Sequence, residues 1–227
     1  DDALGILDHY HNHNPQFTLG GLPYVDMRPS VPTLVRDIHD GALRIERIVN
    51  DLKDFARPGG SGTQAVFHLN ETVERALRLL GHLIRKRTAR FKVDLASNLP
   101  PLRGDAQQTE QVVVNLVVNA LEALPDRDKG VTVSTAYDAK TRCEILEVRD
   151  EGIGIAREHL ARLCDPFFTT KQATGGTGLG LAITASLVRA HGARLDFDSE
   201  LGKGTQAVVS FPDLEDDAAM LNTAAGS

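Results

Sequence analysis

The feature that most constrains this chain is the break at Pro58-Gly59-Gly60-Ser61-Gly62. Proline ends a helix, and the small residues behind it favour an unpacked segment. Apolar residues follow different periods on the two sides of the break. Before it, Leu34, Ile38, Ala42, Ile45, Val49 and Leu52 recur at three and four residues, with Val35, Ile48 and Phe55 as a second stripe beside them. That spacing predicts a helix over 32–56 that is apolar on two sides, as in a four-helix bundle. After the break, short strand-like runs alternate with helical ones. The 227 residues hold one substantial domain and a smaller element. The expected organisation is a helical segment over 1–57, a linker over 58–63, a second domain over 64–213 and an acidic, small-residue tail over 214–227.

Within the first segment, 1–8 reads as the end of a helix, and 9–31, rich in Gly, Pro, Asn and His, reads as a loop. In the second domain, 65–69, 91–95, 131–137, 144–148, 194–198 and 206–211 read as strands. Helices are expected from an Asn70 N-cap to about 86, from an Asp105 cap with Gln108 to 124, and over 178–190, ending at His191-Gly192. Locally paired strands with helices between them predict an α/β sandwich, a mixed sheet with helices on one face. Trp is absent, so Leu, Val and Ile must fill its core.

Composition narrows the partners. A net charge of −6 argues against nucleic acid, whose phosphates require a basic face. The two cysteines, Cys143 and Cys164, give neither a disulfide framework nor a zinc spacing, which fits a reducing cytoplasm. The most apolar stretch, 112–124, is interrupted by Asn115, Asn119 and Glu122 and is too short to span a bilayer, so no membrane contact is expected of these residues. The chain opens on Asp1-Asp2-Ala3 without Met and is read as a piece of a longer protein, with any anchor upstream.

Four motifs carry the chemistry. Asn115, Asn119 and Glu122 stand at i, i+4 and i+7 on one helix face, with Val113, Val117 and Leu124 opposite. Buried amides need partners, and oxygen donors of this kind suit Mg²⁺; solvent-facing side chains are the alternative. Asp150-Glu151-Gly152-Ile153-Gly154 follows the strand EILEV. A carboxylate at a strand end can accept from an exocyclic amine such as adenine's, and Gly152 and Gly154 let a flat ring approach the backbone; a plain turn is the alternative. Asp165-Pro166-Phe167-Phe168-Thr169-Thr170-Lys171 anchors a polar, Gly-rich stretch over 165–178, the composition of a mobile lid or of an ordinary surface loop. Gly176-Thr177-Gly178-Leu179-Gly180 enters a helix, leaving backbone N–H groups able to cradle phosphate. It is neither a dinucleotide fingerprint nor a Walker loop.

Together, and in this order, the four resemble the N, G1, F and G2 boxes of the histidine-kinase ATPases of the GHKL superfamily. Gly202-Lys203-Gly204-Thr205 resembles that family's further Gly-Thr element, and PFFTTK is similar to the nitrogen-regulation-like branch. The resemblance implies a Bergerat-type two-layer α/β sandwich that binds Mg-ATP. It further implies Mg²⁺ on Asn119 supported by Asn115, and adenine on Asp150 beside Gly152, Gly154 and Thr205. Phosphates would meet Thr169, Thr170, Lys171, Gly176, Thr177, Gly178, Leu179 and Gly180. Residues 44–58 resemble the second helix of a sensor-kinase dimerisation and phosphoacceptor domain, which implies a homodimer and a response-regulator receiver domain as partners. The implied activity is phosphorylation of a protein histidine, then transfer to a response-regulator aspartate. Asn115 stands where the gyrase and Hsp90 branch carries its general-base Glu, which implies weak ATP hydrolysis. The family's phosphoacceptor motif, His-Glu-x-x-Asn-Pro, has no match: His9, His11 and His13 fall in the expected loop, and His39-Asp40 lies on the second helix without the Pro. The acceptor is therefore expected upstream. A degenerate nucleotide-binding signalling module and an anti-sigma-factor-like serine kinase are the competing readings.

Overall fold

In the computed structural model, residues 2–56, 64–170 and 176–213 are described. The linker expectation for 58–63, the tail over 214–227 and Lys171 lie outside them. The chain divides into two compact units, Asp1–Asn50 and Asp51–Ser227.

The first unit is more ordered than its composition suggests. Helix α1 covers Asp2–His13, so the helix runs five residues past the expected 8 into the segment read as a loop. Strands β1 (Thr18–Leu19) and β2 (Leu22–Pro23) pair antiparallel around Gly20-Gly21, followed by the short helix α2 (Tyr24–Met27). Side-chain chemistry accounts for this order. The Tyr24 ring is buried, and its hydroxyl donates to Asp8 Oδ1 at 2.9 Å. Arg28 donates to both Asp8 oxygens, at 2.5 and 2.7 Å, and these bonds hold the Asp8 carboxyl down at about 2. Phe17 packs against Tyr10 and Tyr24. Helix α3 (Val31–Ala56) then follows at its expected position. Among the described side chains of its apolar stripes, Ile38 is 71% and Ile45 64% exposed, with Leu34, Val35 and Val49 also open.

In the second unit, a five-stranded sheet runs in the order β4-β6-β7-β9-β8, formed by Arg90–Leu95, Gly130–Asp138, Cys143–Asp150, Gly204–Pro212 and Arg194–Glu200. β4 and β6 are parallel and the other pairs antiparallel, the mixed sheet expected. The β6–β7 hairpin forms as read. Period-two alternation assigns its faces: Val131 and Val133 on β6, Leu146 and Val148 on β7, and Ala207 and Val209 on β9 are buried, while Arg149 and other polar neighbours point away. Helices α4 (Leu69–Arg87), α5 (Ala106–Ala123) and, after the short α6 (Arg157–Leu160), α7 (Gly180–Ala190) include Val73, Val113, Val117 and Val188 of that same core. Leu124, beyond the end of α5, joins it as expected.

Three local details differ from the sequence expectation. α4 begins at Leu69 with His68 as its cap residue. Asn70 instead donates to Ala96 O at 2.8 Å and accepts from Thr135 Oγ1 at 2.7 Å, so its amide ties the helix to the sheet. Strand β5 (Leu102–Gly104), hidden behind two prolines, pairs with β3 (Ala65–Phe67) as a separate ribbon. The last turn-entry helix starts at Gly180 rather than 178. The Asp105 cap holds, accepting from the backbone N–H groups of Gln107 and Gln108.

Glu144, on the core side of β7, is fully buried, and neither carboxylate oxygen has a hydrogen-bond partner among the described residues. Burial, followed by the charge of Asp213, pushes its carboxyl up to about 7.

Candidate functional site

A cavity of about 340 Å³ opens between α5, the end of β7, the loop behind it and the strands β8 and β9, within the usual range of ligand pockets. α5 presents Asn119 to it, with Leu116, Ala120 and Ala123 alongside. The 3.6-residue period places Asn119 one turn beyond Asn115, while Val113 and Val117 hold the opposite face in the core. β7 delivers Asp150, only 6% exposed, to the cavity floor. Its Oδ1 accepts from Gly152 N at 2.8 Å and Thr205 N at 3.2 Å. Two backbone donors fix the carboxylate in one orientation.

Close backbone approach explains the glycines around it. Gly154 has φ +67°, and a Cβ there would collide with the carbonyl of Glu200. Gly154 lines the cavity, whereas Gly152 stands behind Asp150, against Ala123 O. Ile153 N donates to Ala123 O at 3.0 Å, so the loop is bonded to the end of α5. Glu151 accepts from Gly130 N at 2.8 Å and pairs with Arg90, which fastens the loop to the sheet edge.

Thr169, Thr170 and Thr205 also line the cavity. Phe168 lines it too, with the Arg162 guanidinium 4.7 Å from its ring centre and His159 packed on it. Other residues expected in the site stand elsewhere. Asn115 is not part of the lining: its Nδ2 donates to Gly180 O at 3.4 Å and Thr184 Oγ1 at 3.2 Å, and its Oδ1 accepts from Gln111 at 3.0 Å. Its amide therefore bridges α5 to α7. Gly176, Thr177, Gly178, Leu179 and Gly180 are outside the lining as well. Leu179 is buried; its N–H donates to Thr177 Oγ1 at 3.3 Å and its carbonyl accepts from Ile183 N at 2.9 Å. Gly178 has φ +70° and packs on the Phe167 backbone, while Phe167 N donates to Gly178 O at 3.0 Å. This closes the base of the 165–178 segment, with Phe167 itself at φ +67°.

Sequence reading missed much of the apolar lining: Leu163, Leu181, Phe197, Leu201 and Ala207. It also missed Ser199, whose hydroxyl accepts from Ile155 N, donates to Gly204 O and contacts Thr205 Oγ1 at 2.9 Å. Composition does not mark these residues, because a side chain that lines a pocket carries the same local pattern as one that fills a core.

Residues 104–215 match the model of the family described as histidine kinase-, DNA gyrase B-, and HSP90-like ATPase. Sporulation kinase E of Bacillus subtilis is 31% identical over 74% of this chain and 22% of its own length. Sensor histidine kinase ZraS of Escherichia coli is 32% identical over 74% of this chain and 35% of its own. Among solved structures, the nucleotide-free catalytic domain of histidine kinase ThkA superposes with a TM-score of 0.58 at 26% identity, over 66% of this chain and 95% of that one. Residues 104–215 form a domain of this ATPase family, and the second unit is a catalytic domain of the histidine-kinase type, related to those of sensor kinases. It spans only about a fifth to a third of the length of these two curated relatives. Among the described residues, no helix is long and apolar enough to cross a membrane.

Proposed function

We propose that this chain binds Mg-ATP and serves as the catalytic part of a sensor kinase, which phosphorylates a protein histidine for transfer to a response-regulator aspartate. The observation that carries the reading is the pairing, across one cavity, of Asp150 held by two backbone N–H groups with Asn119 on α5. Asp150 accepts the exocyclic amine of adenine, and the apolar walls around Ile153 and Leu163 cover the ring. Thr205 holds Asp150 through its backbone. Thr169, Thr170 and Lys171, with the backbone of the 176–180 turn, receive the phosphates. Asn119 supplies a neutral oxygen suited to a hard cation. Asn115, with its amide engaged by α7, supports the site by holding that helix. When bound, Mg²⁺ neutralises charge on the transferred phosphoryl group, and the protein contributes mainly positioning. A homodimer through α3, with a receiver domain as the downstream partner, completes the proposal.

Calorimetry on Asp150→Asn tests it. Loss of one charge-assisted hydrogen bond is expected to cost about 1.5–3 kcal/mol, roughly ten- to a hundredfold in affinity for Mg-ATP. Wild-type affinity in a folded mutant sinks the adenine assignment. With γ-labelled ATP, no phosphohistidine is expected on this chain, because none of its histidines sits in an acceptor motif. Stoichiometric labelling that disappears in His39→Gln overturns both that expectation and the reading of α3 as the second dimerisation helix.

A further inference from the structure

His191 is not part of the cavity lining. It follows the last residue of α7, yet it is bonded to the start of α5. Asp105 N donates to its Nε2 at 3.0 Å, and Asp105 O lies 3.2 Å from the same nitrogen; the neutral ring that accepts from Asp105 N and also donates to a carbonyl at its other nitrogen carries its proton on Nδ1. Nδ1 then donates to Leu187 O, one turn back in α7, at 2.8 Å. Thr109 Oγ1 lies 3.4 Å from the same Nε2. The fit is tight: a Cβ on Gly104 would collide with the imidazole, and Phe211 closes the other side edge-on. Asp105 is also the residue that caps α5. The ring thus joins the last turn of one helix to the first turn of another through a single tautomer.

A second tie stands at the opposite end of the same helix pair. Asn115 donates to Gly180 O and Thr184 Oγ1, in the first turn of α7. The two helices run antiparallel, held near 105–109 against 191 and near 115 against 180–184. Beyond the second tie lie the Gly-rich turn on α7 and Asn119 on α5.

We infer that His191 is a positioning residue of the nucleotide site: together with Asn115 it makes α5 and α7 one rigid pair, which fixes the distance between Asn119 and the 176–180 turn. The inference rests on the proposed reading of those two elements as the phosphate side of the site. Asp150 belongs to β7 and is held by the backbone N–H groups of Gly152 and Thr205, neither of them on α5 or α7; the loop behind it meets α5 only at Ala123, the last residue of that helix and the end far from His191. Loosening the pair therefore weakens the contribution of the phosphates and leaves adenosine binding alone.

Two substitutions separate the two bonds of the ring. His191→Asn places an amide nitrogen near Nδ1 and keeps the bond to Leu187, but falls short of Asp105. His191→Gln places its oxygen near Nε2 and keeps the bond to Asp105. Affinities for adenosine and for Mg-ADP, measured on the full chain by NMR titration and calorimetry, give the phosphate-dependent gain as their ratio. His191→Asn is expected to lower that gain about tenfold with adenosine affinity unchanged, and His191→Gln to restore most of it. A wild-type ratio in His191→Asn overturns the inference, as does a parallel loss of both ligands or an equal loss in both variants. A wild-type chain that gains nothing from the phosphates overturns the site reading itself, and the inference with it.

Discussion

The two units treat their apolar residues in opposite ways. In the second, Val131, Val133, Leu146 and Val209 are fully buried under helices of the same chain. In the first, Ile38, Ile45, Leu34 and Val35 on α3 remain open. Both sequences carry regular apolar periods of similar quality. The difference is that a sheet with three helices closes its own core, whereas α1, a two-residue ribbon and the short α2 offer α3 too little opposing surface. A period in a sequence states that a face will be covered, not by what. The second unit is expected to fold on its own resources, and the first to take cover from another chain.

The largest expected effect tests the closed core. Leu146→Ala should destabilise the second unit by about 2–5 kcal/mol, read as a shift in its denaturant midpoint. A shift under about 1 kcal/mol would mean that the sheet core repacks easily, and the contrast with α3 would weaken.

Next comes Glu144, a fully buried carboxyl on the core side of β7. Its carboxyl titrates near 7 when folded and in the usual range near 4.5 when unfolded. The folded state therefore holds its proton more tightly. Stability from this group is fully present below about pH 4.5, falls as pH rises to about 7, and is level above. Glu144→Gln removes the titration and should gain on wild type across that window, by about 1–3 kcal/mol at pH 8. Denaturation curves at pH 5 and pH 8 measure the gain, and an equal difference at both pH values would refute the burial account.

The smallest effect on folding is expected at Ile45→Asp. This position is already 64% exposed, so the change in stability should stay within about 0.5 kcal/mol. Self-association measured by sedimentation should nevertheless fall sharply. A chain that is monomeric both before and after the substitution at high concentration would remove the dimer proposed through α3.

Within the site, legibility followed the same division. Asn119, Asp150 and Gly154 were readable because each combines an unusual residue type with a local reason for its position: a polar row on an apolar helix, or a carboxylate at a strand end beside a glycine. Asn115 carried the same signal as Asn119, yet the structure turns its amide toward α7. One helical turn separates the two, and only the approach of α7 decides which neighbour each meets. The order in the first unit was missed for a related reason. Asp8 lies 16 positions from Tyr24 and 20 from Arg28, and their polar, glycine-rich surroundings read as a loop until the three side chains meet.

What the sequence determined by itself is the class of each segment. Period and breaker residues set two units and a mixed sheet backed by helices, and the resemblance of four motifs in order implied a domain of the histidine-kinase ATPase type. The tertiary structure decided which residues share a surface. Leu163 and Phe197 meet in one cavity, the carboxylate of Glu144 is enclosed, and the ring of His191 reaches Asp105, 86 positions away. Periodicity reports the side of an element that a residue faces, because it arises from local backbone geometry. The identity of the group on the far side depends on how separate elements pack, and no local pattern carries that information.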